Sequence, residues 1–175
     1  MKALISGLSL FVLLGGCAEA PDLRTAPVLG HLVLKETLVI PPEAASVRLQ
    51  YGRTVPFNGV QHHDPFCVFE IDTVSPDPQT VHAGSFAIVR ISHSVDPFAA
   101  ASTPRIVRVS KNDGGGPAHL YFKTHFRLRH DTQAVRALTC MSDQLAPGVF
   151  PFMRHLTPAE IRQALGNLFT VEYPT

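Results

Sequence analysis

The stretch HLYFKTHFRLRH, residues 119–130, alternates apolar with polar side chains at a period of two. The apolar set is Leu120, Phe122, Phe126 and Leu128, and the polar set is Tyr121, Lys123, His125, Arg127 and Arg129. Successive side chains of a strand point to opposite faces of a sheet, so this pattern predicts a strand with one buried and one wet face.

Seven further segments predict strands by alternation or by a short apolar run: residues 31–42, 46–51, 67–71, 85–91, 105–109, 134–140 and 168–173. In the second of these segments we expect Val47, Leu49 and Tyr51 on one face. Turns rich in proline and glycine separate the segments. About eight short strands at this spacing predict a mainly β domain, an antiparallel sandwich or small barrel. Since tryptophan is absent and phenylalanine frequent, phenylalanine should supply much of the aromatic core.

One short C-terminal helix is predicted from LTPAEIRQALG, residues 156–166. Thr157 can cap the helix, Pro158 suits its first turn, and Glu160 stands where a capping box requires an acidic residue. Gly166 occupies the position of a left-handed C-terminal cap. We expect this helix to cover one end of the sheet.

The first residues, MKALISGLSLFVLLGGC, join one lysine to an apolar run that is too short to span a bilayer. Residues 1–16 are therefore interpreted as a cleaved signal peptide. The sequence LGGC at residues 14–17 resembles the lipobox of bacterial lipoproteins. That resemblance implies a lipid on the thiol of Cys17, which would become the mature N-terminus; the alternative is a plain signal peptide in which Cys17 is incidental.

The lipobox resemblance also implies a location. Ala18 follows the cysteine, and lipoproteins of this kind that lack Asp at that position are usually sorted to the outer membrane. Residues 17–29 are then the lipidated N-terminus and a flexible tether, whose last twelve residues extend roughly 35 to 40 Å. Residues 30–175 form a single domain. We expect that domain to face the periplasm, with the cell surface as an alternative.

Charge argues against nucleic acid as a partner. Removal of residues 1–16 takes away only Lys2, which leaves 14 Lys and Arg against 14 Asp and Glu. Such a balance gives no basic footprint for a polyanion. The expected partners are the membrane, through the lipid, and an envelope protein or polymer.

Cys67 and Cys140 remain once Cys17 is assigned to lipid. Export would place both in an oxidising compartment, where a disulfide between them is the natural pairing. Two buried free thiols and a redox-active pair are the alternatives. A disulfide would leave neither sulfur for catalysis or for a metal.

His62, His63 and Asp64 form the tightest group of candidate metal ligands, and copper and zinc are the metals that imidazole suits. In an extended segment His62 and Asp64 share a side, whereas His63 points away. A third ligand would have to come from His82, His93, His119, His130 or His155. His125 is a poor candidate because Lys123 and Arg127 share its predicted face. The alternative is a polar loop that leads into the strand at Cys67.

No catalytic motif is evident. SHSVD, residues 92–96, contains Ser, His and Asp, but a triad is assembled from separated segments, and GxSxG is absent. The segments CVFEI, VRALTC and LTPAEIRQALGNLFTV resemble small proteobacterial envelope proteins, which agrees with pairing Cys67 and Cys140. The sequence predicts a non-enzymatic lipoprotein without cofactor that has a binding or structural role. A copper- or zinc-binding lipoprotein is the alternative, and an envelope enzyme of unknown class is third.

Overall fold

A continuous antiparallel sheet dominates the computed structural model, which describes residues 25–97, 119–145 and 154–174. The strands are β1 Gly30–Leu34, β2 Leu38–Ile40, β3 Ser46–Gln50, β4 Arg53–Val55, β5 Phe66–Ile71, β6 Gln79–Val81, β7 Gly84–Pro97, β8 His119–Arg129, β9 Val135–Met141, β10 Asp143–Leu145 and β11 Phe169–Glu172. A single α-helix, α1, spans Pro158–Leu165 in the described residues. The predicted strand at 105–109, the signal peptide and Cys17 lie outside them.

Eight of these strands form one path in the order β11-β1-β7-β8-β9-β5-β3-β4, and β10 pairs with β8 beside it. The sheet curls into half a barrel. β2 and β6 make a separate two-stranded sheet. The prediction of a mainly β, antiparallel domain with one short C-terminal helix is confirmed.

The core lies on the inner face of the curled sheet, where α1 packs against β3, β5 and β11. Its largest fully buried side chains include Phe69, Phe86, Phe126 and Phe169. The rings of Phe69 and Phe169 are 5.2 Å apart and tilted. Phenylalanine therefore fills the aromatic core, as the absence of tryptophan indicated.

The outer face is less exposed to solvent than the alternation predicted. Phe126 and Leu128 of β8 are buried as predicted, but Tyr121 on the opposite face is buried as well. Gln50 of β3 is only 1% exposed on that same outer face. Both are covered because the segment between β4 and β5 folds back over this side of the sheet.

A disulfide joins Cys67 of β5 to Cys140 of β9, as the sequence predicted. The two residues are direct partners in the β5–β9 register, and both are fully buried on the inner face. The bond closes an interval of 73 residues. It cross-links two central strands of the sheet.

The β3–β4 turn packs directly on the C-terminal end of α1. Tyr51 and Gly52 both have positive φ, 54° and 74°, in a two-residue hairpin loop of the kind that needs left-handed residues. The Gly52 amide donates to the Ala164 carbonyl at 3.0 Å. A Cβ on Gly166 would lie 2.4 Å from the Gly52 Cα, so only glycine permits this approach. The contact fixes the edge of the sheet against the helix.

The helix N-terminus carries the predicted capping box. The Glu160 amide donates to Thr157 Oγ1, and the Glu160 carboxylate accepts from the Thr157 amide at 2.7 Å. Arg154 adds two contacts to the same carboxylate, at 2.7 and 2.9 Å. The Arg154 guanidinium, with the bonds to Thr157, lowers the pKa of Glu160 to about 2.

Replacing both Cys67 and Cys140 by alanine should lower the free energy of unfolding by about 4 kcal/mol, because the unfolded chain loses its cross-link. Urea unfolding of the two proteins measures the difference. A reductant should destabilise the wild type and leave the double variant unchanged. Equal unfolding of the wild type with and without reductant would contradict the prediction.

Stability should fall as the pH drops from about 5 towards 2. The folded pKa of Glu160 lies below its ordinary value of 4.5, so its contribution is complete above that value and is lost as the carboxylate takes up a proton. Glu160→Gln should flatten this part of the profile of unfolding free energy against pH. The exposed Glu172→Gln is the control and should keep the wild-type slope; a slope unchanged by Glu160→Gln would refute the assignment.

Candidate functional site

The segment between β4 and β5 is attached to the outer face by a pair of amide contacts. The Gln50 side chain donates to the Gln61 carbonyl and accepts from the Gln61 amide, both at 2.9 Å. Val60 packs there with Phe66, Tyr121 and Met141 in a second, smaller hydrophobic cluster. This docking places the three residues that follow, the predicted metal ligands, over the sheet.

His62 is held against Tyr121 and Phe66. Its Nδ1 lies 2.7 Å from the Tyr121 hydroxyl, and its ring meets the Phe66 ring edge-on at 5.8 Å. The His62 carbonyl accepts from the Asp143 amide at 2.6 Å. Burial, with a contribution from the Asp143 charge, raises the pKa of Tyr121 to about 12. The phenol therefore keeps its proton at neutral pH and can donate to the imidazole.

His63 and Asp64 make contacts with other partners. His63 Nδ1 lies 3.9 Å from the Asp143 carboxylate, and the Asp64 carboxylate accepts a hydrogen bond from the Tyr51 hydroxyl. That bond raises the pKa of Tyr51. Across residues 25–97, 119–145 and 154–174, no three His, Cys, Asp or Glu side chains are placed to hold one metal ion.

The histidines considered as a third ligand lie in other places. His93 and His155 pair with each other, their rings 4.4 Å apart, on the inner face beside Phe122. Burial, followed by the nearby His93, lowers the pKa of His155. His130 Nδ1 accepts from the amides of Thr132 and Gln133, while the His82 amide and carbonyl bond to the Gln133 side chain. The side chain of His119 lies outside the described part of the structure.

Exposed aromatic rings flank the His62 loop. The Arg48 guanidinium lies 4.0 Å from the centre of the Phe57 ring, a cation–π contact, and Phe57 remains 61% exposed. Tyr51, expected on the face of Val47 and Leu49, instead occupies the hairpin turn and is 46% exposed. We call the surface of Arg48, Tyr51, Phe57 and His62 the aromatic platform. Burial lowers the pKa of Arg48 from its ordinary value.

A row of hydrogen-bonded polar side chains crosses three strands and was not predicted from the sequence. Ser94 Oγ of β7 lies 2.9 Å from His125 Nε2 of β8, and His125 Nδ1 lies 3.1 Å from Thr139 Oγ1 of β9. Burial and then the Lys123 charge lower the pKa of His125, which therefore favours the neutral imidazole. Alternation could have put each residue on the outer face, but only the strand register brings them together.

Asp96 lies at the Ser94 end of this row. It accepts from Ser94 at 3.3 Å and forms an ion pair with Lys123 at 2.8 Å. The Lys123 ammonium lowers the pKa of Asp96. Asp96 thus contacts Ser94 and Lys123. The ring nitrogen of His125 that faces away from Ser94 contacts Thr139. That arrangement differs from a Ser-His-Asp triad, in which the acid binds the histidine.

Comparisons with protein families, curated proteins and solved structures found no match to this chain. No helix in the described ranges is long and apolar enough to cross a membrane.

A double-mutant cycle tests whether Tyr121 holds the His62 loop. Tyr121→Phe and His62→Ala should each destabilise the protein, and their coupling energy should be about 1 kcal/mol, the typical net value of a hydrogen bond. Urea unfolding of the wild type, both single variants and the double variant gives the four free energies from which the coupling is calculated. Tyr173→Phe, which alters an exposed tyrosine, is the control; strict additivity of Tyr121→Phe and His62→Ala would argue against the contact.

Proposed function

We propose that the protein is an outer-membrane lipoprotein, anchored through Cys17, whose periplasmic domain binds an extended segment of an envelope protein. The segment adds as a strand to the edge of β4, beside the aromatic platform. The observation that carries this proposal is the position of β4. It ends the main sheet immediately next to the two most exposed aromatic side chains of the platform, Phe57 and Tyr51.

The edge of β4 supplies the backbone part of the site. β4 pairs with β3 on one side, and no other strand of the described ranges pairs with it. An edge strand offers amide and carbonyl groups to an added strand. The Gly52–Gly166 contact holds the hairpin in place, so β4 is presented without the entropy cost of first ordering it.

Side chains supply the specificity. Arg53 and Val55 of β4 lie on the outer face in the rows of Gln50 and Arg48, while Thr54 lies opposite Leu49. Alternate residues of an added strand would therefore contact Arg53, Val55 and the neighbouring Phe57. Arginine and aromatic residues supply much of the binding energy at protein interfaces. The partner strand should carry acidic and apolar side chains on that face.

The anchor is supported by the sequence, through the short apolar run and LGGC ending at Cys17. A disulfide between buried cysteines is consistent with an exported domain. In cells, Cys17→Ser should abolish incorporation of labelled fatty acid and shift the protein out of the outer-membrane fraction. Incorporation that persists in Cys17→Ser would overturn the assignment of the anchor.

The partner site is tested with a photo-crosslinking residue at Thr54, which is exposed on β4. It should capture one defined envelope protein in living cells, and the same residue at the exposed Gln163 of α1 should not. Arg53→Glu should reduce capture at Thr54 about tenfold through charge repulsion with the acidic partner. Equal capture of the partner from Thr54 and from Gln163 would contradict the proposal. Stoichiometric copper or zinc that is lost on His62→Ala would replace it with the metal-binding alternative.

A further inference from the structure

Three arginines lie together on the outer face, on the adjacent strands β7 and β8 near the middle of the sheet. Arg90 of β7 is the direct register partner of Arg127 of β8, and Arg129 lies two residues farther along the same face. Like charges directly opposite one another destabilise a sheet unless an anion compensates them. Guanidinium groups suit phosphate in particular, because two N–H groups can bind two oxygens at once. We call Arg90, Arg127 and Arg129 the arginine cluster.

The chain enters the domain beside this cluster. Arg129 Nη1 donates to the Ala26 carbonyl at 3.2 Å, and the Leu29 amide donates to the Ile88 carbonyl at 2.8 Å. The last residues of the predicted tether are thus attached to the sheet. From Cys17 to Ala26 the nine residues can reach about 30 to 32 Å when fully extended. The Arg129 guanidinium, which contacts Ala26, can therefore lie only a few ångströms farther than that from the anchor.

Two exposed apolar side chains lie on the segment that enters the domain. Val28 and Leu29 are 41% and 39% exposed, and both precede β1 where it runs beside β7. Exposed aliphatic side chains next to arginines are typical of surfaces that rest on a lipid interface, with the apolar groups at the acyl boundary and the charges among the headgroups.

Three acidic side chains also lie around the cluster. Asp72 and Asp131 line a shallow cleft of about 400 Å³ together with Arg127 and Arg129. Glu70 lies in the row of Arg127, with Ala137 between them. Three arginines thus face three carboxylates, and Arg90 lies outside the cleft. A free phosphate would be bound weakly by such a surface, but a covalent anchor keeps headgroups at a high effective concentration.

We propose that the arginine cluster binds the phosphate groups of membrane lipids, while the exposed Val28 and Leu29 contact the acyl boundary, and that the domain is thereby oriented on the bilayer. The proposal rests on the lipid anchor proposed above for its effective concentration. It adds a second contact, which gives the domain a defined side towards the membrane. The cluster then works as the second signal that makes a lipid anchor stable.

The test uses the full chain, purified in detergent and reconstituted into vesicles of phosphatidylcholine with or without phosphatidylglycerol. A phospholipid that is photoactivatable in its headgroup is included, and crosslinked peptides are mapped by mass spectrometry. Crosslinks should concentrate at residues 87–92 and 125–130 when phosphatidylglycerol is present. The double variant Arg90→Gln, Arg127→Gln should lower them about tenfold. Arg162→Gln, which removes the same charge from an exposed position on α1, should leave them unchanged.

Three results would overturn the proposal: no crosslinks on the outer face, crosslinks insensitive to the double variant, or an equal loss with Arg162→Gln. Two measurements test the lipid anchor independently of the arginine contact: binding to phosphatidylcholine vesicles and the mass of the Cys17 peptide. A chain that binds both vesicles but fails to crosslink contradicts the arginine contact alone. A chain without lipid at Cys17 that still binds and crosslinks only with phosphatidylglycerol supports the cluster and overturns the anchor. A chain that binds neither vesicle contradicts both.

Discussion

The covalent bond between Cys67 and Cys140 fixes the register of β5 against β9, and that register decides which side chains share a face. A slip of one residue would move every side chain of β5 to the other side of the sheet. Because Cys67 faces the core, Phe66 must face outwards, and Phe66 is the residue against which His62 packs. The site on the outer face therefore depends on a bond made on the inner one.

His62, His63 and Asp64 illustrate how a dense polar motif can be divided among local partners. Tyr121, Asp143 and Tyr51 each contact one of the three, so the loop is held by a different polar group at every step. The partly buried hydrogen bond between His62 and Tyr121 contributes about 1 kcal/mol, against the roughly 10 kcal/mol or more that a structural zinc ion supplies. A hydrogen bond of this strength would not prevent a metal ion from binding to His62. Within the described residues, however, fewer than three candidate ligands converge on one point.

Patterns local in sequence predicted the local structure well. The alternation in residues 119–130 and the capping signals around Thr157 both correspond to elements of the structure, because each depends on neighbours within a few positions. The pairing of Cys67 and Cys140 followed from elimination and the oxidising compartment. Ser94 and His125, in contrast, meet only through the register of β7 and β8, which no local pattern encodes.

Tyr121 and Tyr51 show a second limit of the sequence. Alternation assigned Tyr121 to solvent, yet the segment between β4 and β5 covers it, and placed Tyr51 on the face of Val47 and Leu49, yet a two-residue hairpin turns it outwards. Both differences arise around β4, a three-residue strand whose preceding hairpin is fixed against the helix through Gly52 and Gly166. A strand that short carries too little periodicity to be recognised, although it forms the edge on which the proposed partner site depends.

The two proposed surfaces are compatible because the sheet order separates them. The arginine cluster lies on β7 and β8, whereas β4 follows β8 across β9, β5 and β3. Four strand spacings of about 4.8 Å put the edge roughly 19 Å from the cluster, somewhat less across a curled sheet. A domain resting on lipid through its arginines would therefore leave the β4 edge to one side of that contact, where an extended segment of another protein can add. In the described residues, α1 packs on the inner face against β3, β5 and β11, so neither proposed surface lies there.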